Sequence, residues 1–479
     1  MILHEDDSSA PPANPHPSAE SAPEDGDIRL SEVIAALSYA LDLTEGAPEG
    51  HSVRTCLIGM RIAREIGLDA DARSSLFYAL LLKDAGCSAN AAATCELFGA
   101  DDHTVKQTWK ATDWASGWRS FVHVVRNVRP GASLLAKARQ VAGFAGAGPV
   151  GTELVRTRCE RGADIARMLE MTDDTAAAIR ALDEHWDGRG IPLGLAGEQI
   201  PLLARIAGLA QTVETYHSVF GFQAALGVAR DRAGKWFDPD LVRALHSLRA
   251  DGAFWAGLSD GDARARAAAL EPADRVLTAD EERLDRIAHA FARVIDAKSP
   301  FTFRHSEGVA LYADAVARVL GFGPEALRDL RRAALLHDVG KLGVSNRILD
   351  KPGKLTEQEF SAVRRHPEHT YHILARVARF RPLAETAASH HERMDGRGYH
   401  RGLPAGELPV AARVLAVADV CDALSAERPY RGALPREQVL GIMRADAGPG
   451  LCPDCFHALE TALERAPELG LDREKEAVV

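Results

Sequence analysis

The chain repeats itself, and this repeat constrains the fold more than any other feature of the sequence. Residues 28–86 and 282–340 share identical or similar residues at a constant offset of 254. Further along, the "DGRG" segment at 395–398 repeats an earlier "DGRG" at an offset of 208. The change from 254 to 208 places an insertion of 46 residues in the first copy, between Gly86 and about Thr157. We therefore expect two similar structural units in tandem.

The periodicity of the apolar residues is helical nearly throughout. From Ile28 onward they recur three and four positions apart, as in "LDRIAHAFARVIDA" (284–297), and alternating strand-like patterns are almost absent. The sequence predicts an all-α fold of two tandem helical bundles. The predicted boundaries are 28–250 for the first copy with its insertion within about 88–150, 251–279 for a connection with one short helix, and 280–470 for the second copy.

Composition and charge exclude several classes of protein. The net charge of −11 argues against a protein that binds nucleic acid polymers, and no apolar run is long enough to span a membrane. Residues 1–27 are rich in Pro, Ser, Ala and acids without a signal-peptide pattern, which predicts a disordered tail, and 471–479 form a second short tail. Seven cysteines, an odd and scattered number, suit a reducing compartment. We expect a cytoplasmic protein.

Histidines and aspartates collect in the second copy, each in or at the end of an apolar-periodic stretch. They are His305, His337, Asp338, His366, His390, His391 and Asp419. Any one such histidine is more often a surface or core residue, but seven side chains in this order favour a metal site. Imidazole and carboxylate are ligands for Fe, Mn or Zn, and a carboxylate can bridge two ions. Two ions roughly 3.5–4 Å apart can hold a bridging hydroxide and neutralise a phosphodiester during in-line displacement.

The motifs around these residues resemble those of a known family. They are "HDVGK" (337–341), "KPGKLT" (351–356), "HPEH" (366–369), "HHERMDGRGYH" (390–400) and "ADVCDALSAERPYR" (418–431). With them, residues 282–460 resemble the HD-GYP family of HD metal phosphohydrolases, which hydrolyse cyclic di-GMP. The resemblance implies HD-type helical bundles and a phosphodiesterase that converts cyclic di-GMP to linear pGpG with two divalent ions, Fe or Mn.

The resemblance also implies a role for each matching residue. One ion would be held by His305, His337 and Asp419, and the other by His366, His390 and His391, with Asp338 bridging them. It further implies catalytic roles for Asp338 and Lys341, and substrate binding by Lys341, Tyr399, Arg428 and Arg431. Fixed cations beside the metals suit a dianionic dinucleotide, because ammonium and guanidinium groups donate to phosphate oxygens.

Two positions depart from the family pattern. Some relatives recruit a third metal with a glutamate four residues before the first histidine, but Phe301 stands there in this chain, so two ions are expected. In the tripeptide 398–400, His400 replaces proline, which would fix φ and stiffen the loop. This change leaves open another cyclic dinucleotide or phosphoester as the substrate. A signalling module that binds a nucleotide or a partner without turnover is the alternative outside the enzymes.

The first copy keeps only two of the seven residues, His51 and Asp84. The others are replaced by Lys83, Arg158, Leu182, Asp183 and Gln211 at the positions of His337, His366, His390, His391 and Asp419. We expect this copy to bind no metal, and we predict that Lys83 and Arg158 pair with Asp84 and Asp183 in place of the ions. Its role would be structural or regulatory, as a surface for a homodimer or a signalling partner. The insertion, with Trp109, Trp114 and Trp118, is a candidate surface, although tryptophans are commonly core anchors.

Overall fold

The computed structural model describes residues 28–111, 126–130, 132–133, 135–137, 139, 141, 150–258, 263–272, 275–302, 304–427 and 432–465. The predicted tails, Trp114 and Trp118 lie outside the described residues, and the side chain of Trp109 is not described. The predicted all-α fold is confirmed. In the described ranges the regular elements are helices, apart from β1 (Ile28–Arg29) and β2 (Thr278–Ala279), which pair antiparallel.

The helices of the first copy come first in the chain, and those of the second copy follow after a connection. The first copy contains α1 (Leu30–Thr44), α2 (His51–Glu65), α3 (Ala70–Leu82), α4 (Ala91–Phe98), α5 (Asp102–Ala111), α6 (Val150–Met168), α7 (Asp173–Arg180), α8 (Leu202–Phe220), α9 (Phe222–Asp231) and α10 (Pro239–Ser247). The connection contains α11 (Gly252–Gly257) and α12 (Ala263–Ala268). The second copy contains α13 (Glu281–Asp296), α14 (His305–Val319), α15 (Pro324–Leu336), α16 (Asn346–Leu349), α17 (Glu357–Arg364), α18 (His366–Leu374), α19 (Arg381–Ala388), α20 (Val410–Ser425), α21 (Arg436–Asp446) and α22 (Pro453–Glu464). None of the helices searched in these ranges is long and apolar enough to cross a lipid bilayer.

The helices recur at the offsets seen in the sequence. Helices α2 and α14, and likewise α3 and α15, begin 254 residues apart, whereas α7 and α19, and likewise α8 and α20, begin 208 apart. Polar caps set several of the starts, because a side-chain acceptor satisfies a backbone N–H that has no partner within the helix. Asp280 accepts from the N–H of Arg283 at the start of α13, and Thr356 forms a capping box with Glu359 at the start of α17.

The two copies share one hydrophobic core. A single cluster of buried side chains includes Leu37 and Leu41 of α1 together with Leu342 and Ile373 of the second copy. Helix α1 packs against α18 and against the 3-10 helix Val339–Gly343, which directly follows the His-Asp motif. The first copy therefore supports the back of the region in which the predicted ligands lie.

The insertion also reaches the second copy. Asp102, at the start of α5, is fully buried and accepts hydrogen bonds from Oγ of Ser345 and the backbone N–H of Asn346, both at 3.0 Å. Nζ of Lys298 lies 3.8 Å from the same carboxylate. Since Ser345 and Asn346 begin α16, the insertion anchors the chain just beyond the 3-10 helix.

The connection between the copies is packed rather than extended. Its described residues contain two short helices, whereas the sequence predicted one. The buried carboxylate of Glu271 accepts hydrogen bonds from the hydroxyls of Ser31 at 2.7 Å and Tyr78 at 2.5 Å. These bonds fasten the connection to α1 and α3.

Candidate metal centre

The structure brings the seven predicted ligands together from five parts of the second copy. His305 is the first residue of α14, the His-Asp pair follows α15, His366 begins α18, the paired histidines follow α19, and Asp419 lies in α20. Six of the seven side chains are buried, and His391 is one-quarter exposed. Four helix ends and the interior of α20 therefore converge on one polar centre.

Asp338 is the centre of this cluster. Its Oδ2 lies 3.3 Å from Nε2 of His337 and 3.6 Å from Nε2 of His305. Its Oδ1 lies 3.2 Å from Nε2 of His366 and 3.5 Å from Nε2 of His390. Each carboxylate oxygen faces a different pair of imidazoles, which is the arrangement that a bridging ligand requires.

Asp419 lies beside the same histidines. Its Oδ1 is 3.4 Å from Nε2 of His305 and 3.8 Å from Nε2 of His337, and its Oδ2 is 3.8 Å from Nδ1 of His391. Among the described residues of this centre, three groups each offer donor atoms within 4.8 Å of one another: His366, His390 and His391; His305, His337 and Asp338; and His337, His390 and Asp419. The first group is the predicted ligand set of one ion. Asp419 lies close to both sets.

Hydrogen bonds made by Nδ1, the ring nitrogen that points away from the centre, orient four of the histidines. His337, His366 and His390 donate through Nδ1 to the backbone oxygens of Ala334, Val363 and Ala387, at 2.6–2.7 Å. Nδ1 of His305 lies 2.7 Å from Oδ2 of Asp422. These bonds fix the ring orientation and direct Nε2 toward the centre, as is usual for metal-ligating histidines. Asp422 lies three residues beyond Asp419 in α20, and its contact with His305 suits a carboxylate that orients a ligand.

A glycine allows two of these segments to approach closely. A Cβ atom on Gly340 would clash with the carbonyl oxygen of His366 and lie 2.8 Å from the backbone nitrogen of Thr370. The hydroxyl of Thr370 accepts from the N–H of Gly340 at 3.0 Å and donates to the carbonyl of His337 at 2.8 Å. The glycine in "HDVGK" therefore holds the His-Asp pair against α18.

The charges of the centre suit cation binding. Burial opposes ionisation of Asp338, but His337 and Lys341 hold the pKa of its carboxyl well below the usual range. Burial lowers the pKa of His366 to about 4 and that of His391 well below its usual value. Neutral imidazoles thus face an ionised carboxylate, and this is the protonation state in which both coordinate metals.

His305 differs from the other histidines. Burial alone would lower the pKa of its imidazole, but hydrogen bonds to the carboxylates of Asp338, Asp419 and Asp422 raise that pKa well above its usual value. A proton on the imidazole of His305 and a metal ion at its Nε2 compete for the negative charge of these three carboxylates. Metal binding is therefore expected to release a proton here.

Two buried atoms fit an absent cation. Nε2 of His337 and Oδ1 of Asp338 have no hydrogen-bond partner among the described residues. Buried polar atoms nearly always have a partner, so these two atoms are accounted for if they are metal ligands. The donor set of imidazole nitrogens and carboxylate oxygens suits Fe, Mn or Zn.

The predicted substrate-side residues lie at the edge of the centre where the structure describes them. Nζ of Lys341 is partly exposed and donates to Oδ2 of Asp338 at 2.5 Å. The ring of Tyr399 packs on that of His391, with centroids 4.6 Å apart. Arg428 and Arg431 lie outside the described residues.

The sequence did not indicate Phe360 and Arg364, which lie beside Tyr399, because helical periodicity does not show which turn a helix packs against.

A buried glutamate that the sequence reasoning missed fixes the glycine-rich turn. Glu392 accepts hydrogen bonds from the backbone N–H groups of residues 401–403, at 2.8–3.1 Å. Glu184 does the same for residues 193–195 in the first copy. Both glutamates precede "DGRG" by three residues, and this shared position was the available signal.

The first copy has fixed cations at the corresponding place. The predicted pairs are confirmed, since Lys83 donates to Asp84, with both side chains buried, and Arg158 pairs with Asp183. His51 pairs with Glu214, whose position corresponds to that of Asp422. Burial alone would raise the pKa of Glu214, but His51 and Arg54 lower it to about 2. The pair of His51 and Glu214 in the first copy thus corresponds to the hydrogen bond between His305 and Asp422 in the second. Lys83 and Arg158 replace two of the imidazoles.

Replacing Asp422 by asparagine should weaken metal binding. The change removes the carboxylate that orients and polarises His305, and loss of such a partner typically costs about 10- to 100-fold in metal affinity. Titration of the apoprotein with Mn²⁺ against a competing chelator measures the change. Glu214→Gln is the matched control and should leave the affinity as it is in the parent protein. Equal affinities in Asp422→Asn and the parent protein would contradict the role assigned to Asp422.

Comparison with known proteins places this centre in context. A family model described as "HD domain" matches residues 148–241 and 289–451. The "3'3'-cGAMP-specific phosphodiesterase 3" of Vibrio cholerae serotype O1 is 44% identical over 92% of this chain and 95% of its own length. A crystal structure of a cyclic GMP-AMP specific phosphodiesterase from V. cholerae (V-cGAP3) is 38% identical, with a TM-score of 0.64 over 92% of this chain and 99% of that chain. The "Cyclic di-GMP phosphodiesterase response regulator RpfG" of Xanthomonas campestris pv. campestris is 40% identical over 37% of this chain and 48% of its own length.

Proposed function

The chain belongs to the HD domain family, in its HD-GYP branch, and on that premise we propose that it is a cyclic dinucleotide phosphodiesterase that prefers 3'3'-cGAMP. The observation that carries the chemistry is the convergence of seven histidine and aspartate side chains, with buried Asp338 at their centre. The proposed reaction opens one phosphodiester bond of the cyclic substrate and gives a linear dinucleotide.

The choice of substrate rests on which relatives match both copies. The sequence alone suggested cyclic di-GMP, and the relative RpfG, named for that substrate, matches little more than a third of the chain. The relative named as specific for 3'3'-cGAMP matches 92% of the chain, including the degenerate first copy. Similarity over both copies supports the 3'3'-cGAMP assignment, with cyclic di-GMP as the second candidate.

We propose two divalent ions, Fe or Mn, as the cofactors. His305, His337 and Asp419 would hold one ion, and His366, His390 and His391 the other, with Asp338 shared between them. When bound, the ions would neutralise the phosphate and supply a nucleophilic water at neutral pH. The outer hydrogen bonds to Asp422 and to backbone carbonyls keep the ligand nitrogens directed at the centre.

Other side chains of the site would bind and orient the substrate. The ammonium group of Lys341 lies at the edge of the centre and can donate to a phosphate oxygen. Tyr399 presents its ring next to His391, where a base or ribose attached to the bound phosphate would lie. Arg428 and Arg431 remain proposed phosphate contacts on the strength of the family motif.

The proposal is tested with purified protein and three cyclic dinucleotides. Metal content is measured by mass spectrometry, and the metal-loaded protein is incubated with 3'3'-cGAMP, cyclic di-GMP and cyclic di-AMP while products are followed by chromatography. We expect about two ions per chain. We expect kcat/KM for 3'3'-cGAMP to exceed the other two by at least about tenfold, the lower end of what pocket contacts provide.

The other outcomes distinguish the alternatives. Faster turnover of cyclic di-GMP would contradict the substrate preference and leave the phosphodiesterase assignment intact. A metal-loaded protein that hydrolyses none of the three, yet binds one of them, would support the non-catalytic signalling module.

A further inference from the structure

We propose that a pocket between α17 and the glycine-rich turn holds one purine base of the substrate, and that His400 determines specificity by contacting the edge of that base. This inference rests on the proposed phosphodiesterase function and deepens it. The observations that carry it are the place of the pocket, its aromatic and cationic wall, and the unusual backbone and free ring nitrogen of His400.

The pocket is of nucleoside size and lies next to the metal centre. Its volume is about 590 Å³, and Gln358, Phe360, Arg364, Glu368, Tyr399 and His400 contribute to its lining. Ligand pockets typically have volumes of about 300–1,000 Å³. Tyr399 separates the pocket from the centre, because its ring packs on His391. A phosphate bound at the centre would therefore place its attached nucleoside within reach of this pocket.

The wall of the pocket has the groups that stack on nucleobases. The rings of Phe360 and Tyr399 meet edge to face, with centroids 6.3 Å apart and an interplanar angle of 71°. The guanidinium carbon of Arg364 lies 5.2 Å from the centroid of Tyr399 and 5.9 Å from that of Phe360. Aromatic and arginine side chains bind bases through their faces and tolerate any base. Discrimination between adenine and guanine therefore has to come from a group at the edge of the base.

His400 has a backbone conformation that proline cannot adopt. Its φ is +112°, whereas the proline ring holds φ near −65°. Non-glycine residues at such φ values are rare and concentrate at binding and catalytic sites. Glu392 fixes the chain directly after His400 through the N–H groups of Arg401 and Gly402. The histidine thus gives the loop a backbone path that proline could not follow.

The ring of His400 has a polar atom whose hydrogen-bonding capacity is unused among the described residues. Its Nε2 is buried and has no hydrogen-bond partner among the described residues, although the residue lines the pocket. Within the described residues, the ring of His400 lies beside that of Tyr371, with centroids 6.3 Å apart. Adenine and guanine differ in donor and acceptor at the purine 6-position, so a single hydrogen bond from this nitrogen can favour one base over the other.

The test compares three replacements of His400 in the full-length, metal-loaded protein. His400→Ala removes the ring, and His400→Gln keeps a polar atom near the position of Nε2. His400→Gly also removes the side chain, but glycine adopts the positive φ of this position without strain. His457→Ala, on the exposed surface of α22, is the matched control. Two quantities are measured: kcat/KM for the three cyclic dinucleotides, and equilibrium binding of their hydrolysis-resistant phosphorothioate analogues.

We expect His400→Ala and His400→Gly to lower binding and kcat/KM for the preferred substrate by about 5- to 10-fold, the size of one lost hydrogen bond. The ratio between substrates should shift by a similar factor, with metal content unchanged, and His400→Gln should restore most of the preference. The inference would be overturned if the three His400 variants and His457→Ala all showed the same ratio between substrates. It would also be overturned if His400→Gly kept the selectivity of the parent protein, or if the analogues did not bind the parent protein. Because binding of the analogues needs no turnover, an inactive parent protein would refute the proposed function while the binding ratios still decide the role of His400.

Discussion

Replacement of Asp338 by alanine is expected to remove both metal ions and reduce phosphodiesterase activity to the background of the assay. Both oxygens of Asp338 face imidazole nitrogens, with His337 on one side and His366 on the other. Asp419 lies within 4 Å of His305, His337 and His391, whereas the oxygens of Asp338 also contact His366 and His390, so Asp419 is not expected to replace the carboxylate of Asp338. Metal content per chain, measured by mass spectrometry after dialysis, should fall from two to near zero.

The equivalent residue of the first copy provides the control for this experiment. Asp84 occupies the repeat position of Asp338 but pairs with the buried ammonium of Lys83. Asp84→Ala should therefore leave the metal content of the folded protein unchanged, although the variant will be less stable. Two ions bound to Asp338→Ala, or metal lost from Asp84→Ala without loss of folded protein, would contradict the assignment of the centre to the second copy.

The sequence predicted the features of the fold that depend on local pattern and on repetition. Helical periodicity is strong in segments such as 284–297, and the helices of the two copies begin at the offsets that the alignment requires. The metal centre was predictable because its residues lie within short motifs, most of them at helix ends, and each motif fixes both the residue and its local geometry. Glycines such as Gly340 carry part of this information, since only glycine permits the contact with α18.

The features that the sequence did not predict depend on contacts between distant segments. Asp102 in the insertion binds the N–H of Asn346, and no local pattern pairs a residue with another 244 positions away. Phe360 and Arg364 belong to an ordinary amphipathic helix, and only the packing of α17 places them beside Tyr399. The positive φ of His400 is imposed by the surrounding turn, whereas its residue type alone would favour a negative φ.

Replacement of Lys83 by methionine is expected to destabilise the protein by about 3–5 kcal/mol, because it leaves the buried carboxylate of Asp84 without this ammonium. Both side chains are 1% exposed, so water cannot compensate the charge. The free energy of unfolding from urea denaturation, followed by circular dichroism, measures the effect. In the intact second copy, metal ions would compensate the equivalent carboxylate of Asp338, so Lys83 is inferred to take over the electrostatic role of an ion.

The double variant Lys83→Met with Asp84→Leu tests this explanation. Replacing a whole buried ion pair by apolar side chains of similar volume is often neutral or stabilising, whereas removing one partner is not. The double variant should therefore be more stable than Lys83→Met alone, and both should keep the metal content of the parent protein, because the second copy holds the predicted ligands. A loss of less than about 1 kcal/mol in Lys83→Met, the size expected for an exposed pair, would show that the pair does not replace an ion.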